Sequence, residues 1–255
     1  MTSKFNKKKI NLIPNRKFAT YLIISVLFLS FLTFTYNEFM NTNKFYSFIQ
    51  NISEKFNYQF LNLKINSTSR VDKSRVLKII NKHYKKSIFL IPLRDISESL
   101  YDLNWVKGVN ISTNFKNTVN VEIFEYTPIG LLSFNNQLFY FSSEGKIIDK
   151  YKNKFNENLI IFHGKQVLKE ANKFLKSLVG VKKIEMIKIK EVYYVNKRRW
   201  DIKLHNDIFL NLSEKNIEDS FNNYIKLIEK LNNSEINSIY SIDLRNNEKA
   251  IIRFK

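Results

Sequence analysis

From Phe18 to Tyr36 the chain runs FATYLIISVLFLSFLTFTY, nineteen residues without a charge, bounded by Lys17 and Glu38. As a helix rising about 1.5 Å per residue it is roughly 28 Å long, which matches a hydrocarbon core of about 30 Å. Eleven of the nineteen are Leu, Ile, Phe or Val, worth about 3–7 kcal/mol on insertion scales before Ser, Thr and Tyr are deducted. The run exceeds the roughly 7–15 residues of a cleaved signal's apolar core, and no A-x-A site follows it. The expectation is one uncleaved transmembrane helix over residues 18–36.

Beyond it the pattern becomes amphipathic. In residues 37–58, Phe45, Ile49, Ile52 and Phe56 recur at spacings of four, three and four, which predicts a helix with one apolar face. That face suits either the headgroup layer or the next domain. Residues 59–127 read as strand, two helices and two strands. FLNLKI ends at Asn66, a residue that accepts the positive φ of a turn. Asp72 suits a helix N-cap before Val76, Ile79, Ile80 and His83. Leu93, Ile96, Leu100 and Leu103 mark a second helix after Pro92, and VKGVNIST and TVNVEIFE follow as strands.

From Pro128 to Lys255 strands dominate. LLSF and QLFYF turn at Asn135-Asn136, and Ser143 to Gly145 turns into KIID. Helices are expected over Gln166 to Leu178 and from Ile217 to Leu231. RRWDIKL pairs with DIFLNL around His205-Asn206, and SIYSIDLR with KAIIRF across Asn246-Asn247-Glu248. The fold class is α+β: a membrane anchor, a small sheet with two helices, then a mainly antiparallel β domain with two helices.

Charge sharpens this picture. Residues 1–17 hold Lys4, Lys7, Lys8, Lys9, Arg16 and Lys17 and no acid, so the tail is expected in the cytoplasm and the remainder exported. The whole chain carries +19, from 34 Lys and 8 Arg against 23 acids, beside 33 Asn, 5 Gly and 3 Pro. That skew is the signature of AT-rich codons as much as of a binding surface, and an exported domain does not meet the chromosome. Nucleic acid is therefore not an expected partner. With no cysteine, disulfides, thiolate nucleophiles and Cys-ligated metals are excluded.

Catalytic patterns are missing too. His83, His163 and His205 form no metal-ligand spacing, and no phosphate-binding glycine loop or G-x-S-x-G elbow is present. The glycines are expected at element ends in backbone roles. No cofactor is expected and the chain reads as a non-enzyme. Among basic patches, Lys197-Arg198-Arg199-Trp200 stands out, because Arg offers a planar fork to a partner carboxylate. KAIIRF alternates Ala250, Ile252 and Phe254 with Ile251 and Arg253, and at a sheet edge it would invite strand addition.

In order along the chain come Leu103-Asn104-Trp105-Val106, Val109-Asn110-Ile111, Thr118-Val119, Glu125-Tyr126-Thr127-Pro128 and Glu144-Gly145-Lys146-Ile147-Ile148-Asp149. Arg198-Arg199-Trp200-Asp201-Ile202, Asn206 to Leu212 and Ile242-Asp243-Leu244-Arg245 follow. This succession resembles the FtsQ/DivIB family of bacterial cell-division proteins. The resemblance implies a POTRA domain at 59–127 and the family's β domain at 128–255. It implies a non-catalytic scaffold of the divisome in the inner membrane at the septum, single-pass, with a cytoplasmic N-terminus and a periplasmic C-terminal domain. FtsB and FtsL are the implied partners of the β domain, and other divisome membrane proteins those of the POTRA domain and anchor. The family's last strand accepts a partner strand. Here that stretch is Lys249, Ala250, Ile251, Ile252, Arg253 and Phe254, joined in the candidate set by Tyr240, Trp200, and Arg198 or Arg199 in the region of a partner-binding arginine. Asn66 replaces the family's Gly after the first strand, Lys116 its Pro before the third, and the Pro ahead of Gly164 is missing. Two other readings remain: a POTRA-bearing periplasmic assembly or secretion factor, and an exported protein that binds an anionic polymer.

Overall fold

A computed structural model describes residues 16–40, 42–152, 158–164, 166–246 and 248–255. Most of the expected cytoplasmic tail, and Asn247 of the expected last turn, lie outside the described residues. The chain forms two compact units. One takes its described residues from Met1–Ile65, Leu77–Ile96 and Ile111–Val121, the other from Asn66–Val76, Ser97–Asn110 and Glu122–Lys255.

The apolar run lies in helix α1, Arg16–Met40, where Ala19–Tyr36 is long and apolar enough to cross a membrane. Its Ser25, Ser30, Thr33 and Thr35 hydroxyls each donate to a carbonyl three or four residues earlier, so these four need no outside partner. Helix α2, Thr42–Lys55, follows. Its expected apolar face is only partly inward: Phe45 and Ile49 are half-buried, Ile52 is exposed, and Ser53 is buried in its stead. The Gln50 side chain donates to Lys85 O at 3.1 Å and accepts from Ser87 N at 2.7 Å. The Ser53 and Ser87 hydroxyls meet at 2.7 Å. Polar side chains at inward positions thus fasten α2 to the 85–87 segment of its own unit.

The strand-helix-helix-strand-strand order appears as β1 (Asn62–Ile65), α3 (Lys73–Asn81), α4 (Leu93–Tyr101), β2 (Val106–Thr113) and β3 (Thr118–Glu125), with sheet order β1-β3-β2. β1 runs parallel to β3, Leu63 opposite Val119, as the intervening helices require of a crossover. Asn66 departs from expectation. It is not among the positive-φ residues, and its amide instead donates to Ile123 O and accepts from Ile123 N, both at 2.9 Å. The side chain imitates one more strand residue. Asn114 does comparable work between β2 and β3: its Oδ1 accepts from Lys116 N, Asn117 N and Thr118 N at 2.9–3.0 Å.

Glu125 closes the following loop. Its carboxylate accepts from Ser69 N and Oγ, Arg70 N and Val71 N at 2.7–3.1 Å. Burial alone would raise its pKa, but these donors outweigh burial and hold it below the usual glutamate range. A depressed carboxylate contributes stability that is present above the unfolded-state pKa and lost as pH falls through the folded one. Glu125→Gln is therefore expected to cost roughly 1–3 kcal/mol at neutral pH. The deficit should shrink in acid below the ordinary glutamate range, as read by denaturant unfolding across pH; a pH-independent deficit contradicts the assignment.

The second unit is built on a nine-stranded sheet, β4 (Pro128–Phe134), β5 (Gln137–Ser142), β6 (Ile147–Lys150), β7 (Ile161–His163), β8 (Ile189–Val195), β9 (Arg199–Leu204), β10 (Phe209–Leu212), β11 (Ile239–Leu244) and β12 (Ile251–Phe254), in order β12-β11-β10-β9-β8-β7-β4-β5-β6. Five of its eight neighbouring pairs are antiparallel. Of the three parallel pairs, two carry helical crossovers: α5 (Val167–Ser177) joins β7 to β8, and α6 (Ile217–Ile228) with the short α7 (Asn233–Ser238) joins β10 to β11. Asn135 and Asn136 both take positive φ, 49° and 57°, which is the two-residue turn a right-twisted hairpin favours. Under the helices lies one core, with Phe162 edge-on to Phe141, Phe174 and Trp200. Gly130, expected at an element end, sits inside β4 instead. A Cβ there would fall 2.7–3.0 Å from the Phe162 and Phe141 rings, so the missing side chain makes room for two aromatics.

Candidate partner-binding edge

The two ends of the nine-stranded sheet differ. At the β6 end, the Asp149 carboxylate accepts from Asn104 Nδ2 at 3.1 Å and Trp105 Nε1 at 3.2 Å. Lys107 pairs with Glu144 at 2.8 Å, so residues of the same unit engage this border. At the other end, β12 pairs antiparallel with β11 on one side, Ile252 opposite Ile242 and Asp243 opposite Ile251, and it ends the strand order. Among the described residues no strand pairs with its other side, and such an edge is a template for another strand.

Side chains around that edge are apolar and exposed. Ile251 is 68% and Phe254 55% exposed, Tyr240 on β11 46%. Tyr240 lies against Phe209 at 5.9 Å between ring centroids. Ile252 packs partly on the core, while Ile251 and Arg253 face the opposite way by the alternation of a strand. Lys249 and Ala250 precede β12 and are exposed. Lys255 fixes the far end of the strand, its N–H donating to Ser238 O and its Nζ to Asn237 O, both at 2.8 Å.

Arg198, Arg199 and Trp200 do not form one patch. Trp200 is 6% exposed and its ring sits 4.7 Å from Phe174 and 4.5 Å from Tyr194. Arg198 is exposed beside Glu214 at 3.8 Å. Arg199 lies on the helix-free face, paired with Asp201 at 3.3 Å. The register carries Asp201 through Asn211 and Asp243 to Ile251 on β12, so of the two arginines it is Arg199 whose ion-pair partner, Asp201, stands in a row leading to the edge. Arg245 clamps Asp243 from the side, and this hydrogen bond, with Arg199 adding a weaker attraction, holds the Asp243 carboxyl below its usual range.

One cluster on the same face escaped the sequence reading. His163 Nε2 and the Tyr193 hydroxyl both meet Glu191 Oε2, at 2.7 and 2.6 Å, and the two rings stack at 4.2 Å. Burial, then the bond to Glu191, pushes the Tyr193 phenol up to about 12. β7 and β8 place His163 opposite Tyr193, a neighbourhood that residues so far apart in sequence do not announce. Lys203 Nζ joins it from β9, 3.9 Å from Glu191 Oε1. Among the described residues no group of three or more His, Asp or Glu is placed to hold a metal ion.

Known proteins fit this architecture. A family model described as the C-terminal part of cell division protein FtsQ/DivIB matches residues 132–245, and one described as an FtsQ-type POTRA domain matches residues 61–126. Cell division protein FtsQ of Rickettsia typhi is 32% identical over 216 residues, covering 80% of this chain and 76% of that protein. Its namesake in Rickettsia felis is 28% identical over 258 residues, covering 96% and 91%. In Agrobacterium fabrum the match is 21% over 194 residues, 75% of this chain and 60% of the relative. The C-terminal match stops at Arg245, so β12 lies beyond it. Two consecutive domain matches and these relatives agree in order with the strand, helix and sheet sequence above: the chain belongs to the FtsQ family of cell-division proteins.

Proposed function

We propose that the chain is a non-catalytic scaffold of the divisome, held in the inner membrane by α1, with its N-terminus in the cytoplasm and its POTRA and β domains, residues 59–127 and 128–255, in the periplasm at the septum. The observation that carries the reading is the asymmetry of the large sheet, engaged by side chains at β6 and open at β12. A strand donated by FtsB, with FtsL beside it, completes the sheet there. Backbone pairing supplies affinity in such an arrangement, and side chains beside the edge supply selectivity. Family membership supports the division role, and the charge of the tail supports the orientation.

The test is depletion in the native cell. Cells losing the protein are expected to grow as filaments without septa, and the full chain supplied in trans to restore division. Normal septation after depletion would overturn the reading.

A further inference from the structure

α2 has two apolar stripes with different surroundings. Phe45 and Ile49 lie on the side where Gln50 and Ser53 bind the 85–87 segment. Phe48 and Ile52, with Phe56 in the turn just after α2, where its N–H still donates to Ile52 O at 3.0 Å, keep a spacing of four and remain 39–60% exposed. The same unit adds Phe89, 55% exposed, whose ring stands 5.7 Å from that of Tyr58. Among the described residues outside α1, nine exposed large apolar side chains fall in this first unit and eight in the second, larger one. Apolar surface is thus concentrated in the unit that carries the anchor.

Cations accompany the aromatics. Lys55 Nζ lies 6.0 Å from the Phe56 ring and Lys85 Nζ 6.0 Å from the Tyr84 ring. Aromatic rings with lysines beside them are the composition of an interfacial surface: the rings enter the headgroup boundary while ammonium groups meet anionic lipid. α2 starts two residues after α1 ends, which fixes the stripe near whatever bilayer α1 occupies. Contact then becomes an intramolecular step, and even weak interfacial affinity suffices at such an effective concentration.

We propose that the Phe48, Ile52 and Phe56 stripe, with Phe89, lies in the headgroup layer of the membrane that α1 spans and favours anionic lipid. The inference rests on the anchor reading of α1. Because the chain contains no cysteine, single-cysteine variants I52C, F56C and F89C can each carry one environment-sensitive dye in the full-length protein, reconstituted in nanodiscs of phosphatidylglycerol and phosphatidylcholine. I23C inside α1 is the membrane control, and V179C, at a position 84% exposed in the second unit, the aqueous control. The expected result is several-fold quenching by lipid-borne quencher at 52, 56 and 89, weakened when phosphatidylglycerol is omitted, with none at 179. If dyes at 52, 56 and 89 respond to aqueous iodide as 179 does, while 23 is lipid-quenched, the inference fails and the anchor stands. If 23 is not lipid-quenched, the anchor reading itself fails. Protection that depends on the number of chains per disc, without lipid quenching, assigns the stripe to a second copy and also overturns the proposal.

Discussion

Trp105→Ala is expected to remove about 3–5 kcal/mol of stability, measured as a shift in denaturant unfolding of the full chain in detergent. The side chain is 4% exposed, packs 4.9 Å from the Tyr140 ring, lies under the Arg70 guanidinium at 5.0 Å and donates to Asp149. Its backbone is held at φ +72°, a left-handed conformation that costs a bulky residue about 1–2 kcal/mol. The indole contacts therefore hold a strained residue in place. Alanine would lose the contacts and keep the strain, whereas Trp105→Gly loses the same contacts and relaxes the backbone. Glycine is thus expected to unfold later than alanine by about 1 kcal/mol. Equal stabilities, or alanine the better, would remove strain from the account and leave only packing.

That tryptophan shows where sequence reading succeeds and where it stops. W-V after the second helix is visible as a motif, but the positive φ is not, because nothing local demands it. The reverse holds at Asn135-Asn136, where residue type and a two-residue gap between apolar runs dictate the turn. Asn66 carries the same local signal and means something else: its amide pairs with Ile123, fifty-seven positions away, and a tertiary bond displaced the turn. Gly130 was misplaced for a similar reason, since Phe141 and Phe162, the rings that need its empty side, come from other strands.

Strand periodicity would have improved one reading of the candidate site. Arg198, Arg199 and Trp200 are consecutive at the start of a strand, and consecutive strand residues face opposite sides. A cluster in sequence was therefore bound to divide in space, with Trp200 in the core and Arg199 outside. β7 is three residues long, too short for any period, and β8 alternates only once Glu191 and Tyr193 are recognised as a polar face completed by His163. The β12 edge was legible because KAIIRF alternates and is flanked by lysines. Its position at the end of nine strands was not, because strand order depends on the two helical crossovers.

Removing Lys249–Lys255 is expected to abolish capture of the FtsB and FtsL periplasmic segments in a pull-down from membranes, while the protein stays folded and inserted. The truncation is confined to β12 and its flanks because Leu244, on β11, is 1% exposed and a longer cut would open the core. Proline substitution separates lost backbone pairing from lost bulk. Successive N–H groups of an edge strand point alternately to its neighbour and to solvent, so of the pairs I251P/R253P and I252P/F254P one removes bonds to β11 and the other only outward donors. The pair affecting outward donors is expected to abolish capture with little loss of stability, because an edge proline with its nitrogen toward solvent is tolerated. Arg199→Ala should weaken capture more than Arg198→Ala, since Arg199 pairs with Asp201, whose row through Asn211 and Asp243 reaches Ile251, whereas Arg198 lies against Glu214. Undiminished capture by the truncated chain and by both proline pairs would mean that the partner does not add a strand here.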